Sequence, residues 1–160
     1  MSSFFRHKVN FVIKVIEAIG LKKISIVVPV YNEEENLREF HKRITEVMSK
    51  EPYDYSIVFI NDGSSDNSAV ILNELANEDK HVEAYLLSRN YGHQMAITCG
   101  LDNAEGDAIV TMDGDLQHPP EIVPQLLRLW EEGNEIVLTK RMPTEDAGFF
   151  KNLTSSAYYK

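Results

Sequence analysis

Short apolar runs rich in Val and Ile punctuate the chain, and each opens into a polar loop followed by a segment with helical spacing. The runs are Ile24–Val30, Tyr55–Ile60, Glu83–Leu87, Asp107–Met112 and Glu135–Thr139. A run that is apolar at consecutive positions predicts a strand covered on both faces, as a parallel sheet requires. The segments between them predict helices. One runs from Asn32 as N-cap to about Lys50, with Leu37, Phe40, Ile44, Val47 and Met48 inward. A second covers Asn67 to Asn77, and a third passes through Met95, Ala96, Ile97 and Leu101. The last runs from Glu121 to about Glu132, opened by Pro119 and Pro120 and closed by Gly133. Strand, loop and helix in steady repetition leave few topologies. Right-handed crossovers give an α/β fold: a Rossmann-like open, mostly parallel sheet with helices on both faces. Pro29 is the residue this scheme leaves unexplained, because it removes a ladder donor inside a strand.

In such sheets ligands bind outside the strands' carboxyl ends. Three acid-bearing loops arrive at that edge, carrying Glu33, Asp62 and the pair Asp113 and Asp115. Two carboxylates flanking one residue suit a hard divalent cation, and a cation there can carry a diphosphate. Gly114 between them lets a ligand approach the backbone. A lone Asp-x-Asp is more often a polar strand-to-helix loop; its company at the same edge shifts the balance to a site. Asp66 reads as a helix cap rather than a ligand. Arg89 has two fates open, a ligand phosphate or a neighbouring acid, the second being commoner. His93 has no partner at metal-ligand spacing and reads as loop or helix start, and Cys99 as inert core. No G-x-G-x-x-G and no Walker lysine loop occurs, which disfavours dinucleotide dehydrogenases and P-loop nucleotidases.

Composition narrows the class further. At 160 residues the chain is long enough for one domain with a real core. A net charge of -9 argues against general nucleic-acid binding. One cysteine permits no internal disulfide and fits a reducing compartment. Residues 1–23 run against the acidic trend: Phe5, Val9, Val12, Ile16 and Ile19 recur at helical spacing among Arg6, Lys8, Lys14, Lys22 and Lys23. This basic amphipathic helix is too short and polar to span a bilayer. It suits an anionic membrane surface, or packing on the domain or on a second copy of the chain.

The motifs together resemble the family 2 glycosyltransferases of the GT-A fold, over Ile24 to about Arg141. The resemblance rests on Val27-Val28-Pro29-Val30-Tyr31-Asn32-Glu33, on Asn61-Asp62-Gly63-Ser64-Ser65-Asp66 and on Asp113-Gly114-Asp115. Asp115-Leu116-Gln117-His118-Pro119 and Ser88-Arg89-Asn90-Tyr91-Gly92 resemble its polyprenyl-phosphate sugar transferase branch, which includes dolichyl-phosphate mannose synthases and bactoprenol glucosyltransferases. The resemblance implies a nucleotide-sugar donor, a lipid phosphate acceptor and an inverting transfer. It implies that Pro29, Tyr31 and Glu33 line the nucleoside pocket and that Asp62 contacts the base. Asp113, Asp115 and Gln117 would hold Mg2+ or Mn2+, and Arg141 would sit near phosphate. Many members carry two acids where this chain has Asn61-Asp62. It further implies a GT-A domain over 24–142, an acceptor-side or interfacial segment begun at 143–160 and cut short, and residence at the cytoplasmic face of a membrane. Homo-oligomerisation stays open. The alternatives are transfer to a sugar hydroxyl in capsule or lipopolysaccharide synthesis, or a non-catalytic nucleotide-sugar-binding module. Uridine donors with glucose-like sugars and guanosine donors with mannose both fit.

Overall fold

A computed structural model describes residues 20–139. The basic helix expected before residue 20, and Lys140, Arg141 and the tail beyond them, lie outside the described residues. The chain divides into two compact units, Met1–Leu127 and Arg128–Lys160.

Among its described residues the first unit holds four strands, β1 (Lys23–Val30), β2 (Asp54–Asn61), β3 (Val82–Leu86) and β4 (Ala108–Thr111). All neighbours pair in parallel, in the order β3-β2-β1-β4. The chain builds outward from β1 to β3, then returns to place β4 on the other side of β1. Ile24, Ile26, Val27 and Val28 of β1 are fully buried, as the unbroken apolar run requires.

Four helices complete the repeat: α1 (Leu37–Met48), α2 (Ser68–Glu78), α3 (His93–Asn103) and α4 (Val123–Glu131), the last entered through a 3-10 turn at Pro120–Ile122. Strand alternation assigns their sides. Val27, Val58 and Ile60 share one face and cluster with Ala96 of α3. Phe59 points the opposite way and meets Phe40 of α1 edge-to-face at 6.0 Å. α1 packs in turn on α2, so both faces are covered. α3 lies so close to β1 that a Cβ on Gly100 would fall 2.2 Å from Val27 Cγ1.

β4 pairs with β1 only from Ile24 to Val27, whereas β2 follows β1 to Val30. The Val27 carbonyl accepts the Met112 N–H and the Val30 carbonyl accepts the Asp62 N–H. Odd-numbered groups at this end of β1 therefore face β4, and even-numbered ones face β2. Pro29 turns its missing N–H toward β4, past the last pair. No ladder bond is lost, which resolves the difficulty the sequence posed.

Two expectations are corrected. Asn32 is not a helix N-cap: it adopts φ +55, and α1 begins at Leu37. Its side-chain oxygen is already taken, accepting the Ser65 N–H at 2.8 Å. In the second unit, Glu135–Thr139 forms no strand, and Ile136 and Leu138 are 78% and 85% exposed. A β-branched run becomes a strand only where a neighbour supplies the ladder, and none pairs with it among the described residues. Gly133 ends α4 as expected. No helix among the described residues is long and apolar enough to cross a membrane.

At the amino end of the sheet Asp79 binds two histidines. One oxygen lies 2.9 Å from His41 Nε2 and the other 2.8 Å from His81 Nδ1. The ring of His81 stacks on Tyr55 with centroids 4.4 Å apart. Burial pushes the Asp79 carboxyl up, but the His81 N–H and the two imidazoles outweigh it and hold it below its ordinary value. A depressed folded-state value stabilises the fold above the unfolded carboxyl's pKa of about 3.9, and that contribution is lost as pH falls through the folded value. Asp79→Asn is therefore expected to lower stability near neutral pH and to flatten its decline in acid. Urea unfolding of both proteins between pH 3 and 7 checks this, and parallel curves would refute it.

Candidate active site at the carboxyl edge of the sheet

Strand order reverses between β1 and β4, and a cleft of about 290 Å³ opens at their carboxyl ends. Pro29, Val30, Tyr31 and Glu33 arrive from β1, Asp62 from β2, and Asp113, Gly114 and Asp115 from β4. Asn90, His93 and Ala96 complete the lining. The cleft thus unites seven of the nine residues singled out in the sequence. Gln117 does not line it, and Arg141 lies outside the described residues.

The loops are sewn together largely by side chains bonded to backbone. Ser64 Oγ accepts the Asn32 N–H, Ser68 Oγ accepts the Glu33 N–H and Asp66 accepts the Glu34 N–H. Glu34 returns the favour by accepting the Asn67 N–H at 2.8 Å. Asp66 also accepts the Ser68 N–H at 3.0 Å; the N-cap of α2 is Asn67, so Asp66 stands one residue before the cap and closes the turn that leads into the helix. Burial raises the Asp66 carboxyl, but hydrogen bonds from Ser68 and the Glu34 backbone prevail and hold it below its ordinary value.

Asp62 is buried, with 3% of its surface exposed. Its two oxygens accept the N–H groups of Tyr91 and Gly92 at 2.7 and 2.8 Å. Gly92 precedes the first turn of α3, so the carboxylate of one strand's loop caps the helix after another. Gly63 next to it has φ +66, and a Cβ there would fall 2.3 Å from the Arg89 carbonyl carbon. Only glycine allows the two loops to touch.

Asp113 and Asp115 stand on the loop after β4. Asp115 accepts the Gln117 N–H at 2.9 Å and closes a turn that puts Leu116 at φ +61. A non-glycine residue in the left-handed region costs about 1–2 kcal/mol, and its place beside the acidic pair is where functional strain is found. His93 Nε2 lies 3.6 Å from Asp113 Oδ1. The sequence left His93 as loop or helix start; it opens α3, and its place beside Asp113 was not foreseen. Asn90 was missed as well. Both follow a strand at the same edge as the acids, which was the available signal.

The comparisons agree with this geometry. Residues 25–160 match the glycosyl transferase family 2 profile, and the chain belongs to that family. It is 46% identical over 132 residues to an undecaprenyl-phosphate 4-deoxy-4-formamido-L-arabinose transferase of Proteus mirabilis, covering 82% of this chain and 40% of that protein. It is 44% identical over 138 residues to a bactoprenol glucosyl transferase of Shigella phage SfV, covering 86% of this chain and 45% of that protein. The chain spans less than half the length of these curated relatives. Among solved structures it resembles a mannosyltransferase from Pyrobaculum calidifontis in complex with GDP-Man and Mn2+, with a TM-score of 0.53 and 21% identity over 59% of this chain and 28% of that one. That likeness supports the GT-A fold.

Proposed function

We propose that the cleft binds a nucleotide diphosphate sugar together with a divalent cation, and that the intact protein transfers the sugar to a polyprenyl phosphate. The observation that carries this reading is the charge of the cleft. Among the described residues Glu33, Asp62, Asp113 and Asp115 line it, and neither lysine nor arginine does. A diphosphate entering such a site needs a cation to offset the repulsion.

Asp113 and Asp115 fit that cation. Among the described residues no group of three or more His, Cys, Asp or Glu is arranged to hold a metal, so an all-protein cage is not offered. Mg2+ is commonly held by one or two carboxylates with substrate phosphates and water filling the remaining positions, and oxygen donors suit Mn2+ equally. Gln117 follows in the same loop but does not line the cleft, so the fit rests on the two carboxylates. When bound, the cation would offset the charge gathering on the departing diphosphate. Pro29 and the half-exposed ring of Tyr31 offer a wall for the nucleoside. Asp62 retains lone pairs for a base contact beside those given to the backbone.

The names of the relatives support a polyprenyl phosphate acceptor, and an acceptor of that kind would put the transfer at a membrane surface. A phosphate is already ionised near neutral pH, so it needs positioning more than a base. No general base is assigned.

Thermal-shift titration of the intact protein with UDP and GDP, with and without Mn2+, tests the reading. A ligand at 100 times its dissociation constant stabilises by about 2.7 kcal/mol, and at about 2–4 °C per kcal/mol in a protein of 150–250 residues that is a rise of about 5–11 °C. A rise that needs Mn2+ is expected with one of the two nucleotides. No rise with either would overturn the proposal.

A further inference from the structure

Resting on the reading above, the geometry points to Arg89 as a phosphate-binding residue at the mouth of the cleft, held ready by Tyr91. Arg38 and Arg43 are each paired with glutamates, whereas Arg89 has no carboxylate partner among the described residues. Among the described residues no neighbouring acid takes up the alternative that the sequence left open for it. Its guanidinium carbon instead sits 4.8 Å from the centroid of the Tyr91 ring. That contact limits the rotamers of a long side chain without neutralising its charge.

The support beneath it is rigid. Tyr91 is fixed at its N–H by buried Asp62 and at its hydroxyl by Ser88 Oγ, 3.2 Å away. Asn90, between Arg89 and Tyr91, lines the cleft. A preoriented cation with no carboxylate partner among the described residues thus adjoins Asn90, part of a lining that carries four carboxylates. A guanidinium can take two oxygens of one phosphate at once. The phosphate belongs either to the polyprenyl acceptor or to the donor diphosphate.

Arg89→Ala in the intact protein tests this, because Arg89 is exposed and the fold does not depend on it. The two readouts are the Kd for a nucleoside diphosphate with Mn2+ and the KM for undecaprenyl phosphate. A rise of about tenfold in the KM alone assigns the acceptor phosphate, and a similar rise in the Kd assigns the donor. Tyr91→Leu is expected to move the same constant by a smaller factor and Tyr91→Phe by less than Tyr91→Leu, since phenylalanine keeps the ring beneath Arg89 and loses the hydroxyl's hydrogen bond to it. Both constants within twofold of the parent in Arg89→Ala would overturn the inference and leave the proposed function standing. A parent protein that binds neither ligand would overturn both.

Discussion

Asp115→Asn is expected to abolish the Mn2+-dependent stabilisation by nucleotide and to lower transfer by at least about a hundredfold, while the protein stays folded. Asparagine keeps an oxygen to accept the Gln117 N–H, so the turn that holds Leu116 at φ +61 survives. What disappears is one negative charge in a half-open loop beside Asp113. Asp115→Ala would remove charge and turn together, which makes it the less informative change. The melting temperature without ligand should match that of the parent. The midpoint with nucleotide should no longer depend on Mn2+. Unchanged Mn2+-dependent binding in the asparagine variant would show that Asp115 is not the cation's anchor. The acidic cleft would then need another explanation.

Gly63→Ala is expected to cost about 3 kcal/mol of folding stability, the largest effect of any single methyl group added to these loops. A non-glycine residue at φ +66 costs about 1–2 kcal/mol. Overpacking against neighbours adds about 1–3 kcal/mol. The neighbours here are backbone atoms, Arg89 C at 2.3 Å and Asn90 N at 2.5 Å, and neither can rotate aside. Relief requires the turn from Ser88 to Gly92 to move away from Asp62. Nucleotide affinity should therefore fall along with stability, through displacement of Asn90 and His93. Urea denaturation gives the first quantity and titration of the folded fraction the second. A variant as stable as the parent would mean that the two loops do not touch in solution.

Much of the architecture was legible because it depends on local periodicity. The four strands of the sheet fall within two residues of the apolar runs that predicted them, and the helix starting near His93 was placed from spacing alone. The fifth run failed because a strand is defined by its partner and not only by its composition. Asn32 failed for a related reason. Its oxygen bonds to Ser65, 33 residues away, and no local rule reports that competition. The acidic site was legible because three strand ends with carboxylates must share one edge in a parallel sheet. The division of labour within the motifs was not. In Asn61-Asp62-Gly63-Ser64-Ser65-Asp66, most of the polar side chains are spent on holding loops together. Those that join different loops cross about thirty positions of sequence and become visible only when the loops are seen side by side.

Pro29 sets a condition on the cleft that no side chain could set. Without a proline, β1 and β4 could go on pairing beyond Val27 and draw the gap shut. With it, further closure would strand a carbonyl that has no donor opposite, a penalty of about 1–3 kcal/mol if buried. The gap is therefore the resting state of the sheet. A ligand arriving there finds the two strands already parted, and its binding energy is not spent on separating them.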